Sequence, residues 1–116
     1  MEYNSKIINE DIFEGNYFGS GNLILSGTFK GTIKIDKLII NENASFIGNI
    51  TAKEIIVEGH IKADIATEKL HILSNGKVEG DLIYKTLKID EGGYLNSSKV
   101  IKMSDQNNLK NKALKN

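Results

Sequence analysis

Apolar and polar residues alternate in short bursts along the middle of this chain, and the bursts recur. Phe29, Phe46, Ile61, Val78 and Leu95 open successive copies, at spacings of 17, 15, 17 and 17 residues. Two positions later stand Gly31, Gly48, Ala63, Gly80 and Ser97, so a bulky apolar residue is followed each time by a very small one. Ile33, Ile50, Ile65 and Leu82 come next, then the pairs Leu38/Ile40, Ile55/Val57, Leu70/Ile72 and Leu87/Ile89. A looser copy lies upstream as Phe13, Gly15, Tyr17, Leu23 and Leu25. Period-two alternation is the signature of strands with one buried face, not of helices.

A unit of 15 to 17 residues is too short for a strand plus a crossover helix. It suits one rung of a β-solenoid with three short strands and three corners. The expected fold is therefore all-β: a single three-faced parallel β-helix of about six rungs. Equivalent inward residues would stack about 4.8 Å apart, the spacing of neighbouring strands. The small residue in each copy would leave room where the rung narrows. The short rung, between Val57 and Ile61, needs a tight corner at Gly59. Positive φ is expected there and at Gly76 and Gly92-Gly93.

Outward residues around the second corner support this alignment independently. One column reads Asp36, Lys53, Glu68, Lys85 and its neighbour reads Lys37, Glu54, Lys69, Thr86, so charges alternate up and across. Opposite charges on neighbouring strands contribute roughly 0.2–1 kcal/mol a pair, and like charges cost as much.

The repeat divides the chain into an N-terminal tail (1–10), a β-helix (11–103) and a flexible C-terminal tail (104–116). The last of these is rich in Asn, Gln and Lys, with few apolar residues. Fifteen lysines balance fifteen acidic residues, and arginine is absent. Neither a net field nor a planar guanidinium fork is present to draw nucleic acid. Without cysteine the fold has no disulfides or thiolate metal sites, which fits a reducing cytoplasm. The start lacks a signal-peptide profile, and no apolar run exceeds three residues.

No catalytic, cofactor or metal site is expected. His60 falls in a column with Ser45, Lys77 and Tyr94, and His71 in another with Ile56 and Lys88. Both should point outward, without stacked carboxylates beside them. Gly19-Ser20-Gly21 lacks the lysine and helix of a phosphate loop, and no Gly-x-Ser-x-Gly elbow occurs.

The ends of a solenoid carry unpaired backbone groups and a slice of apolar core. This chain has no proline and no convincing amphipathic cap to cover them. Its ends are expected to stack on other copies. Phe13, Tyr17, Leu23 and Leu25 would supply the contact at one end, and Leu87, Ile89, Leu95 and Val100 at the other. Ile24, Ile39 and Ile56 form an outward ridge, a candidate lateral or partner surface. Ile7 and Ile8 would begin an irregular first rung, cap the core, or touch a membrane.

The stretch from about Gly27 to Val100 resembles the bactofilins, bacterial polymer-forming cytoskeletal proteins. The segments Phe46-Ile-Gly-Asn-Ile-Thr-Ala-Lys-Glu-Ile-Ile-Val-Glu-Gly59, Gly76-Lys-Val-Glu-Gly80 and Leu87-Lys-Ile-Asp-Glu-Gly-Gly93 carry the likeness. The resemblance implies a right-handed β-helix, end-to-end filaments without nucleotide, and a cytoplasmic location near the inner membrane. It also implies roles in cell shape and in positioning cell-wall enzymes, with a wall hydrolase or membrane protein as partner. Ile7, Ile8 and Ile12 are the candidates for the membrane-contacting segment that family members often have. Two alternatives stand beside it: a left-handed β-helix acyltransferase and a β-solenoid adaptor that does not polymerise.

Overall fold

The computed structural model describes residues 5–8, of these the backbone only, and residues 12–102. Strands β1 (Ser5–Ile8), β2 (Ile12–Phe18), β3 (Asn22–Leu25), β4 (Thr28–Ile40), β5 (Ser45–Val57) and β6 (His60–Ile72) come first. β7 (Lys77–Glu79), β8 (Leu82–Tyr84), β9 (Thr86–Ile89), β10 (Tyr94–Asn96) and β11 (Val100–Lys102) follow. Every pairing is parallel, and no helix occurs among the described residues. The chain winds as a parallel β-solenoid of about five turns, with part of a sixth supplied by β10 and β11.

Rung five shows the three sides separately, as β7, β8 and β9, with breaks at Gly80-Asp81 and at Lys85. In β4, β5 and β6 the same sides run on as bent strands of 13 residues. Their second corner is still visible, because Asp36, Lys53 and Glu68 drop out of an otherwise continuous register.

The register matches the periodicity column by column. Phe13, Phe29, Phe46, Ile61, Val78 and Leu95 stack in one row, Tyr17, Ile33, Ile50, Ile65, Leu82 and Val100 in the next. The middle of each row is buried, as are Leu38, Ile40, Ile55, Val57, Leu70 and Ile72 on the third side. The three phenylalanines lie ring on ring, with centroids 4.8 and 5.2 Å apart. Stacked rings add about 0.5–1.5 kcal/mol a pair beyond their burial. Thr67 is the one polar side chain buried among the described residues, and its hydroxyl donates to the Lys69 carbonyl at 3.2 Å.

Among the glycines expected to take positive φ, only Gly92 does; Gly93 does not. Positive φ is found not at Gly59 or Gly76 but at Gly15, Gly31, Gly48 and Gly80, with φ of 144°, 142°, 139° and 122°, and at Gly21 and Gly92. The small-residue column therefore makes the first corner, rather than merely leaving room in the core. A Cβ on Gly31 or Gly48 would also overlap the carbonyl oxygen of the glycine one rung below. Gly59 does turn the short corner, through close approach instead of φ. Glu58 and Gly59 both donate to the Ile40 carbonyl, at 2.8 and 3.2 Å, and a Cβ on Gly59 would run into the carbonyl oxygens of Asn41 and Ala44.

The charge ladder has the expected register, Lys37 to Glu54 to Lys69 to Thr86. Among its described side chains, Lys53 and Asp36 come within 4.0 Å, both well exposed. Such a pair contributes little. Asp36 does more by accepting from the Gly21 backbone N–H at 2.9 Å, which ties two corners together.

Candidate assembly interface

The N-terminal end is stepped. β1 lies along β3, with Ile7 opposite Ile24 and Ile8 opposite Leu25, so the third side gains one extra strand. Among the described residues β2 pairs only with β4, and none of them lies along its other edge. Two expectations are corrected here. The strand-forming chain starts before residue 11, and Leu23 and Leu25 are no end contacts: both are fully buried. The extra strand β1 covers them. Phe13 and Tyr17 stay half-buried at the open edge, flanked by Ile12, 57% exposed, and Phe18, 66% exposed. The side chains of Ile7 and Ile8 lie outside the described residues, as do residues 1–4, 9–11 and the expected tail at 104–116.

The C-terminal end is stepped the other way. β10 and β11 extend the first two sides, while among the described residues β9 on the third side pairs only with β6. Ile89, Tyr94 and Val100 are exposed at 42%, 46% and 45%, and Leu87 and Leu95 are half-buried against the core. Ile89 and Val100 belong to inward columns. They are exposed because no rung follows them. Among the described residues both ends thus present unpaired backbone edges together with unfinished core columns, the combination that attracts further strands.

On the sides, the isoleucine ridge is in register, Ile24 to Ile39 to Ile56 to His71 to Lys88, but its isoleucines are half-buried. More exposed apolar side chains lie elsewhere: Ile47, Ile83 and Ile101 at 45%, 39% and 42%. Sequence patterning missed Ile83 and Ile101 because each directly follows an inward apolar residue, Leu82 or Val100, and the pair reads as one short buried run.

The histidines are not without carboxylates. His71 Nε2 lies 2.9 Å from Asp90 Oδ1, and His60 Nε2 lies 4.0 Å from Glu79. Asp90 stands beyond the end of β9, in the corner after the strand that pairs with His71's strand, and reaches back across the rung. Among the described residues no three His, Cys, Asp or Glu side chains gather as a metal site would need.

A stack of parallel rungs with two open, apolar ends matches what the comparisons with known proteins return. The bactofilin family, described as polymer-forming cytoskeletal, matches residues 5–99. The chain belongs to the bactofilin family. That family is a structural, cytoskeletal one. No curated protein matches this bactofilin. Among solved structures it is similar to the Thermus thermophilus bactofilin seen by cryo-EM in double helical filaments, with a TM-score of 0.77 and 16% identity. The match covers 85% of this chain and 99% of that one. At that identity the likeness is one of fold.

Proposed function

We propose that this bactofilin stacks end to end into filaments without nucleotide, and that the filaments serve as a cytoskeletal scaffold. The observation that carries the reading is the pair of ends left uncovered by the described residues: edges on β2 and on β9 to β11, each backed by half-buried or exposed core residues. Pairing those edges would extend the ladder by further strands. It would also bury Phe13 and Tyr17 at one end, and Leu87, Ile89, Leu95 and Val100 at the other. Apolar surface removed from water is worth about 25 cal/mol per Å². By extension from the family, the scaffold acts in bacterial cell shape and in holding a cell-wall hydrolase or membrane protein in place.

The test of assembly is sedimentation of the purified protein in nucleotide-free buffer. Filaments should pellet without nucleotide and be unaffected by its addition. A species that stays monomeric at high concentration contradicts the reading and favours a plain adaptor.

The proposed location is the cytoplasm, at the inner face of the cytoplasmic membrane. Support for the membrane contact is confined to Ile12, which is exposed, and to Ile7 and Ile8 in sequence. Liposome flotation with and without residues 1–10 tests it: flotation should be lost with the segment. Equal flotation of both forms, or none of either, removes the claim.

A further inference from the structure

A groove of about 330 Å³ runs along the solenoid axis on its second side. Thr51, Ala66, Ile83 and Ile101 form one wall, in a single register column. Asp64 and Asp81 stand on the other, on neighbouring rungs, followed by Lys99 on the rung after them. Like charges placed across neighbouring strands are unfavourable. Asp81 touches only the Ser98 hydroxyl, at 3.5 Å, and Asp64 has no hydrogen-bond or ionic partner among the described side chains. The site is thus apolar along one wall and carries two carboxylates against a single lysine, Lys99, along the other. Its chemistry asks for an occupant with aliphatic and cationic groups side by side.

We propose that the groove is the docking site of the chain's own C-terminal segment, residues 103–116. The chain leaves the last strand at Lys102, immediately after Ile101 of the groove wall. The segment carries Met103, Leu109 and Leu114, and three lysines, Lys110, Lys112 and Lys115, against one aspartate, Asp105. Length permits the return path. From Ile101 back to Thr51 is three rungs, about 14 Å, while the seven residues from Met103 to Leu109 span up to about 23 Å. Leu109 and Leu114 cover Ile83 and Ile101, and the intervening lysines face Asp64 and Asp81. The segment thereby shields an exposed lateral apolar patch that would otherwise be a site of adventitious sticking. The docking does not depend on end-to-end assembly.

The absence of cysteine makes a single introduced thiol an unambiguous reporter. Ala66→Cys is placed in the full chain and in the chain ended at Lys102, and thiol-labelling rates are compared at matched assembly state. The full chain should label about tenfold more slowly, the protection given by a docked form that outweighs the open one by that ratio. Adding Asp64→Lys to the full chain should abolish the protection. A second reporter, Thr51→Cys, guards against misfolding of the first, with circular dichroism confirming the strands in each. Oxidation of the Ala66→Cys, Leu109→Cys double variant should give a disulfide within one chain. Equal labelling with and without the segment overturns the proposal, as does a disulfide that forms only between chains.

Discussion

Gly48 shows how little freedom some single positions have. Its φ of 139° is costly for any residue with a side chain, and a Cβ there would overlap the Gly31 carbonyl oxygen. Gly48→Ala should therefore cost at least about 2 kcal/mol, read as a lowered midpoint in chemical denaturation. A midpoint unchanged from the parent would show that the first corner does not need glycine. The sequence displayed a column of small residues but not the reason for it, because composition cannot distinguish a narrow core from a positive φ. Ala63, in the same column, is buried without positive φ, so the two causes coexist within one column. The His71–Asp90 contact was hidden for another reason. Asp90 lies beyond the strand repeat, where column alignment has no purchase.

For the strands, nearly everything was legible. The inward columns, the charge column from Lys37 to Thr86 and the histidine columns pair as the periodicity predicts, since slipping a strand by one residue would turn its apolar set outward. The other charge column, Asp36, Lys53 and Glu68, sits at a corner outside the register. Strand β1 was legible only as one of three readings of Ile7 and Ile8, an irregular first rung, because four residues holding two adjacent isoleucines give no alternation to read. The phenylalanine stack is the costliest inward column to disturb. Phe46→Ala should lose about 3–5 kcal/mol, because the side chain is fully buried and lies against the Phe29 ring. A loss under about 1 kcal/mol would mean that the rungs close over the gap. The isoleucine ridge makes the opposite prediction. Ile39→Thr with Ile56→Thr should reduce lateral bundling seen in electron micrographs while leaving the length of single filaments unchanged. Shortened filaments would place the ridge in the end contact instead.

At the size of the whole molecule, the two steps decide what the protein can do. The solenoid has no intrinsic stopping point except its unfinished rungs, and residues that belong to core columns, Ile89 and Val100, are left in water there. That the ends matter was legible from the missing caps. Which residues they expose was legible only in part, since β1 removes Leu23 and Leu25 from the surface. Leu95→Glu places a charge in the last member of the phenylalanine column. It should abolish pelleting while the β signal in circular dichroism persists, because Leu95 is only half-buried in the single molecule. Loss of both would mark Leu95 as a folding residue rather than an assembly residue.

Cryo-electron microscopy of the purified, nucleotide-free protein tests the end-to-end claim most directly. Filaments should give a strong reflection along the axis at about 4.8 Å, the strand spacing. They should also show a subunit length of about 25–30 Å, as six rungs at that spacing require, or twice that repeat if neighbours alternate in direction. Discrete particles one molecule long, or polymers whose strand spacing runs across the axis, would contradict it.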